Sequence, residues 1–147
     1  MAAALLKGRR WCLILYVLCF LLICLQQASG YRVHYVGGAT GWTNFNILTD
    51  EPPNYVTWAS SQRVIVGDVL VFRYPPEYHN VYSLPSEEAF SSCNYYEATE
   101  LDPGTTGTYH WIAQEAGVYY FACFKSLEGL GSHCELGQKL AVAVEWS

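Results

Sequence analysis

The chain has 147 residues, 52% of them hydrophobic and 14% charged, with eight basic against thirteen acidic side chains and a formal charge of −5. That length supports one main domain, and the acidic balance argues against nucleic acid or anionic lipid as a partner. Six cysteines in so short a chain make the redox compartment the next question.

The start of the chain answers it. Lys7, Arg9 and Arg10 precede an apolar run from Trp11 to Leu25, then come polar Gln26 and Gln27 and the small residues Ala28 and Gly30. This is the pattern of a secretory signal peptide over residues 1–30, with a signal anchor as the alternative, because the run is short for a membrane span of roughly 20 residues. Its removal leaves 117 residues (147 minus 30), a charge of −8 (5 minus 13) and three cysteines, Cys93, Cys123 and Cys134. In an oxidising compartment, three cysteines leave one unpaired. The chain ends at Ser147 straight after a strand-like run, and no lipid-anchor signal is seen.

In the remaining domain, Arg32 to Val36 alternates bulky residues and runs into Gly37, Gly38 and Gly41, which predicts a short strand and a bent loop. Thr49 to Ser61 carries cap and proline signals and predicts a helical turn or two. Arg63 to Tyr74 has β-branched runs on both sides of Gly67-Asp68, a pair suited to a tight turn between strands, with Val64, Val66, Leu70 and Phe72 facing the core. Pro75 and Pro76 end that segment. His79 to Leu84 reads as a short strand beginning at His79, Ser86 to Ser92 as a helical turn, and the stretch after Cys93 as irregular. Gly107 to Ile112, Val118 to Cys123 and Lys139 to Trp146 complete about seven strands. With no βαβ alternation and no internal repeat, these predict an all-β fold, an antiparallel β-sandwich with one or two short helical turns.

The chemistry is concentrated between Tyr119 and Leu140 (YYFACFKSLEGLGSHCELGQKL). Cys123 closes a strand-like run, His133 adjoins Cys134, and Gln138 follows. A thiolate, an imidazole and an amide carbonyl form a soft, mixed donor set that suits copper if a second imidazole joins them, and His79 in PPEYHNV is the candidate. Each residue alone has a plainer reading, as a buried core cysteine or a solvated amide. His34 and His110 have no partner motif and read as structural or surface histidines. Trp42, Trp58, Trp111 and Trp146 read as core and rim packing, with a carbohydrate-stacking face as the alternative. Glu87, Glu88, Glu97, Glu100 and Asp102 read as a solvated acidic face.

YRVHYVGGATGW, WASSQRVIVGDVLVFRY, the HNV segment, the CN pair at Cys93, YYFAC and HCELGQKLAV together make the mature chain resemble the phytocyanins, plant extracellular blue copper proteins. Glutamine at the axial position is similar to the stellacyanin branch. The resemblance implies a cupredoxin-like Greek-key β-sandwich over residues 31–147. It also implies one type 1 copper held by His79, Cys123, His133 and axial Gln138, and a disulfide between Cys93 and Cys134. Asn80, next to His79, is expected to help fix the ligand loops; by the same resemblance His133 lies near the surface as the electron port, and the protein is a secreted one-electron carrier, not an enzyme. Its expected partner is an unidentified redox protein or small molecule, with no nucleic acid, no membrane span in the mature chain and a monomeric state. A copper-free interaction module of the early-nodulin-like type is the alternative. One departure stands out: nine residues, Phe124 to Ser132, separate Cys123 from His133, where the family typically has about four. The extra segment is expected to bulge outward while both ligands still reach one metal.

Overall fold

The computed structural model describes residues 30–45 and 53–147. Apart from Gly30, the expected leader lies outside the described residues, as does the 49–52 part of the first expected helical segment.

Among the described residues two sheets form the body. The smaller has the order β1-β3-β6, from Val33–Tyr35, Val69–Arg73 and Thr108–Ile112. The larger has the order β2-β10-β7-β4-β5, from Val64–Ile65, Lys139–Glu145, Gly117–Ala122, Val81–Leu84 and Thr99–Asp102. A separate ribbon pairs β8 (Ser126–Leu127) with β9 (Gly131–Ser132). Helix α1 spans Tyr55–Ser60, where the Asn54 side chain accepts the Thr57 N–H, and α2 spans Glu87–Ser91, where Ser86 accepts the Ala89 N–H. Both caps satisfy donors that the first helical turn would otherwise leave open.

The sheets are not wholly antiparallel, because β1 with β3 and β2 with β10 run parallel. The Gly67-Asp68 turn is present, yet its flanking strands do not pair with each other. β2 joins β10 in the larger sheet and β3 joins β1 and β6 in the smaller, so the turn carries the chain from one layer to the other. Asp68 explains why it holds. Its buried carboxylate accepts the Arg32 and Ile65 backbone N–H groups at 2.8 and 3.1 Å and meets His34 Nε2 at 2.9 Å. His34 is therefore a structural residue, as expected, and also lies 3.0 Å from the Gln62 amide oxygen. The stretch expected to be irregular after Cys93 contains a 3-10 turn, Tyr95–Glu97, and then β5, which pairs with β4 across a register shift.

Val64, Leu70 and Phe72 are buried as expected, with Val66 packed partly against them. Between the layers Trp42, Phe72, Phe121 and Trp111 meet in a chain of tilted and edge-on contacts with centroids 5.1 to 5.2 Å apart. Trp42, Phe72 and Phe121 are fully buried, and full burial of a large apolar side chain contributes about 1.5–3 kcal/mol to a domain of this size.

Candidate metal centre

Three adjacent strands of the larger sheet deliver the site. In the order β10-β7-β4, antiparallel pairing sets Lys139 opposite Ala122 and Ala122 opposite Tyr82. One row therefore fixes three chain ends: Cys123 follows Ala122, Gln138 precedes Lys139, and His79 lies three residues before Tyr82. Because neighbouring strands alternate in direction, β7 ends where β4 and β10 begin, and the donors gather at one end of the sandwich. His79 itself precedes β4, in a loop against which Gly104 packs with φ 97°. A β-carbon at Gly104 would collide with the His79 carbonyl, a requirement that the DPG sequence at 102–104 hints at only as a turn.

His79, Cys123 and His133 are all buried, and their ligand atoms converge. His79 Nδ1 lies 3.1 Å from His133 Nδ1, Cys123 Sγ lies 3.4 Å from His133 Nδ1, and Cys123 Sγ lies 3.9 Å from His79 Nδ1. A trigonal metal with bonds of about 2.0–2.3 Å would need edges of about 3.5–3.8 Å, so shifts of a few tenths of an ångström accommodate it. Gln138 is 0% exposed, and neither its amide oxygen nor its nitrogen has a hydrogen-bond partner. A wholly buried, unpaired amide is costly unless something else takes its lone pairs. The amide acts on both imidazoles in the direction that favours their protonation, against the larger opposing effect of burial. These residues fit one copper ion, and His79, Cys123 and His133 form a group that could bind it.

Electrostatics favour the uncharged donors. Burial, then repulsion by His133, lowers the His79 pKa to about 4, with the Gln138 amide and Lys125 as smaller influences of opposite sign. Burial also lowers His133. Burial raises the Cys123 thiol, against the pull of the Asn80 and Lys125 backbone N–H groups and the Lys125 charge. Both imidazoles therefore stand ready as neutral donors at neutral pH, while the thiol must give up its proton to bind metal.

Asn80 plays the fixing role expected of it. Its N–H points at Cys123 Sγ at 3.4 Å, its side-chain oxygen accepts the Phe124 N–H at 2.8 Å, and its carbonyl accepts Trp42 Nε1–H at 2.9 Å. One residue thereby ties the His79 loop, the Cys123 loop and the core. Cys93 and Cys134 are bonded, and Cys123 remains free. His110 is exposed on β6, away from the cluster.

The nine-residue segment folds onto itself. β8 and β9 pair Ser126 with Ser132 and Leu127 with Gly131, and the His133 N–H donates to the Lys125 carbonyl at 2.8 Å. The ribbon thus returns the chain to its starting point, and Cys123 and His133 meet as though the segment were short. Leu130 at its tip is 66% exposed, in keeping with an outward bulge. The expected surface position of His133 is not found, since the residue is 4% exposed and its Nε2 is buried without a partner. It follows directly on β9, at the foot of the β-ribbon. Lys125, whose carbonyl closes the ribbon and whose charge acts on all three donors, was not singled out from sequence, because no motif marks it.

The chain matches a family model described as a plastocyanin-like domain over residues 42–138. It is 34% identical over 112 residues to the cucumber peeling cupredoxin of Cucumis sativus, covering 76% of this chain and 74% of that protein. It is 32% identical to the stellacyanin of Toxicodendron vernicifluum, covering 76% and 95% respectively. Among solved structures, cucumber stellacyanin with Cu2+ superposes with a TM-score of 0.65 at 30% identity, covering 80% of this chain and 99% of that one. The topology, the converging His-Cys-His group, the disulfide and these likenesses lead to one conclusion: the chain belongs to the phytocyanins, the plant blue copper branch of the cupredoxins.

Proposed function

We propose that the protein is a secreted type 1 copper carrier that moves one electron at a time. The observation that carries this reading is the buried His79, Cys123 and His133 triangle beside the unpaired amide of Gln138. His79 and His133 would supply equatorial imidazoles, Cys123 the thiolate and Gln138 an axial carbonyl oxygen. When bound there, copper would supply one-electron chemistry in a setting between the preferences of its two oxidation states. The protein's own share is rigidity. Asn80 pins the Cys123 sulfur and its loop, the disulfide fixes the backbone next to His133, and burial excludes water.

The reading extends to export after removal of residues 1–30, a monomeric state, and a redox protein or small molecule as partner, with no role as a catalyst. Relatives bearing the names stellacyanin and blue copper protein support it, although the chain spans only 62% of the length of the blue copper protein of Pisum sativum. No helix among the described residues is long and apolar enough to cross a membrane.

A second reading, a redox-silent interaction module, draws on the long Cys123-to-His133 segment, on the burial of His133 and on 32% identity to early nodulin-like protein 14 of Arabidopsis thaliana. Addition of Cu(II) to the purified mature protein separates the two. An intense blue thiolate-to-copper band is expected, and a colourless protein with unchanged unfolding temperature would favour the second.

A further inference from the structure

With His133 enclosed, a redox partner needs another way in, and the residue after Cys123 supplies one. Phe124 is partly buried, and its ring meets two tyrosines edge-on at 5.3 Å, Tyr82 from β4 and Tyr95 from the 3-10 turn after the disulfide. Tyr82 and Tyr95 are themselves 5.7 Å apart, and Tyr95 leads at 6.2 Å to Tyr96. Exposure rises along this series, from 7% at Tyr82 to 54% at Tyr95 and 97% at Tyr96. A ring so open contributes nothing to the core, and two consecutive tyrosines displayed beside a metal-ligand loop are poorly explained by stability alone.

Acidic groups dominate the segment from Cys93 to Asp102 itself, with Lys139 Nζ 3.6 Å from Cys93 Sγ at its start and Lys125 directly after Phe124. Glu97 closes the 3-10 turn and is held by the Asn94 side chain, and Glu100 accepts the Tyr82 hydroxyl. Both carboxylates are exposed, and from Cys93 to Asp102 there is no Lys or Arg. The Phe124 backbone N–H is bonded to the same Asn80 whose own N–H points at the Cys123 sulfur, so the first ring is registered to the ligand by hydrogen bonds as well as by covalent connection.

We infer that the Tyr95-Tyr96 surface, flanked by Glu97 and Glu100, is the docking face for a cationic redox partner, with Phe124 and Tyr95 linking it to Cys123. This rests on the copper-carrier reading proposed above. In the exchange, copper held by these residues would give up one electron through the Cys123 sulfur, and the cationic partner would gain that electron. No bond forms or breaks, no proton moves, and the rings serve as a tunnelling medium that is not itself oxidised. Docking by charge would accelerate encounter and weaken with salt over a Debye length of about 10 Å at 0.1 M.

Two measurements test it. In the metal-free mature protein, the inert paramagnetic cation hexaamminechromium(III) should broaden the ring resonances of Tyr95 and Tyr96 before any others, and broadening centred on the 125–132 ribbon would overturn the inference. In protein shown to carry the blue band, oxidation of the reduced form by the cobalt(III) tris-phenanthroline cation should slow roughly threefold for each of Glu97→Gln and Glu100→Gln, the size expected of an exposed charge pair. Tyr95→Leu should slow it further with the blue band unchanged, Leu130→Ser should leave it unaltered, and oxidation by hexacyanoferrate(III), an anion, should not slow with the glutamate variants. Unchanged cobalt rates in the Tyr95 and glutamate variants, or a large effect of Leu130→Ser, would overturn the docking face while leaving the copper reading intact. A mature protein that never turns blue would instead remove the copper reading itself, and the redox role of this face with it.

Discussion

Gln138→Met tests whether the buried amide is held in place for a metal. In the metal-free protein both polar atoms of Gln138 are enclosed and unpaired, which costs about 1–3 kcal/mol for such a group. Methionine has a similar length and an adaptable, unbranched chain, so it should fill the space without leaving a cavity and without the unpaired dipole. The metal-free variant is therefore expected to be more stable than the parent by about 1–3 kcal/mol, toward the lower end because the amide still gains something from the two imidazoles it faces. The copper-loaded variant should change in a different respect. Exchange of a hard amide oxygen for a soft thioether favours Cu(I), and each 1.4 kcal/mol of that preference raises the reduction potential by about 60 mV. Urea unfolding of the metal-free pair, at equal m-values, reads the first effect, and redox titration of the blue band reads the second. If the metal-free variant were no more stable and the potential stayed where it was, the amide would be neither strained by burial nor engaged with copper, and the axial role would have to be given up.

Three further outcomes follow from the same geometry. Replacement of both Cys93 and Cys134 by alanine, opening a link across 41 positions, should cost about 4 kcal/mol by the chain-entropy estimate and weaken copper binding, which denaturant titration and competitive chelation would measure. For His79, the folded pKa of about 4 lies below the unfolded value near 6.5, so below pH 6.5 the unfolded chain takes up the proton first. Stability of the metal-free protein should thus fall as pH drops from about 6.5 to about 4 and then level off with respect to this group, while the copper-loaded protein changes less over that range; a scan of unfolding temperature against pH decides it. Deletion of residues 126–130 leaves four residues between Cys123 and His133, alters loop closure by only about 0.7 kcal/mol, and should preserve the blue band, whereas loss of the band would show that the ribbon itself shapes the site.

Much of this could be read from the residues. The donors announced themselves because a copper site needs specific atoms, and the strands next to His79 and Cys123 carry strong β-branched and aromatic signals. Helical turns were expected over Thr49 to Ser61 and Ser86 to Ser92, and the structure places them at Tyr55–Ser60 and Glu87–Ser91, capped by Asn54 and Ser86. What escaped was pairing. Nothing local to Gly67-Asp68 says that its two strands part company, since the buried carboxylate that stabilises the turn recruits Arg32 and His34 from far upstream. β5 escaped because Thr99–Asp102 is polar at three of four positions, and the edge of a sheet tolerates that. The ribbon escaped because serines and glycines carry little strand propensity; its pairing depends on the fixed separation of Cys123 from His133. The enclosure of His133 had no signal of its own.

The segment between Cys123 and Gln138 is clamped at both ends, by the β7-β10 ladder and by the Cys93–Cys134 bond, and its ribbon is closed again at Lys125 and His133. Length added at the turn over 128–130, whose residues are exposed, would therefore lengthen the ribbon without any demand on the core or on the donors. That makes the turn a splice point. An epitope, a fluorophore-bearing peptide or a partner-recruiting motif inserted between Glu128 and Gly129 should be carried on a short stem beside the electron-transfer centre, and the same tolerance gives natural descent a place to try new sequence one duplication at a time.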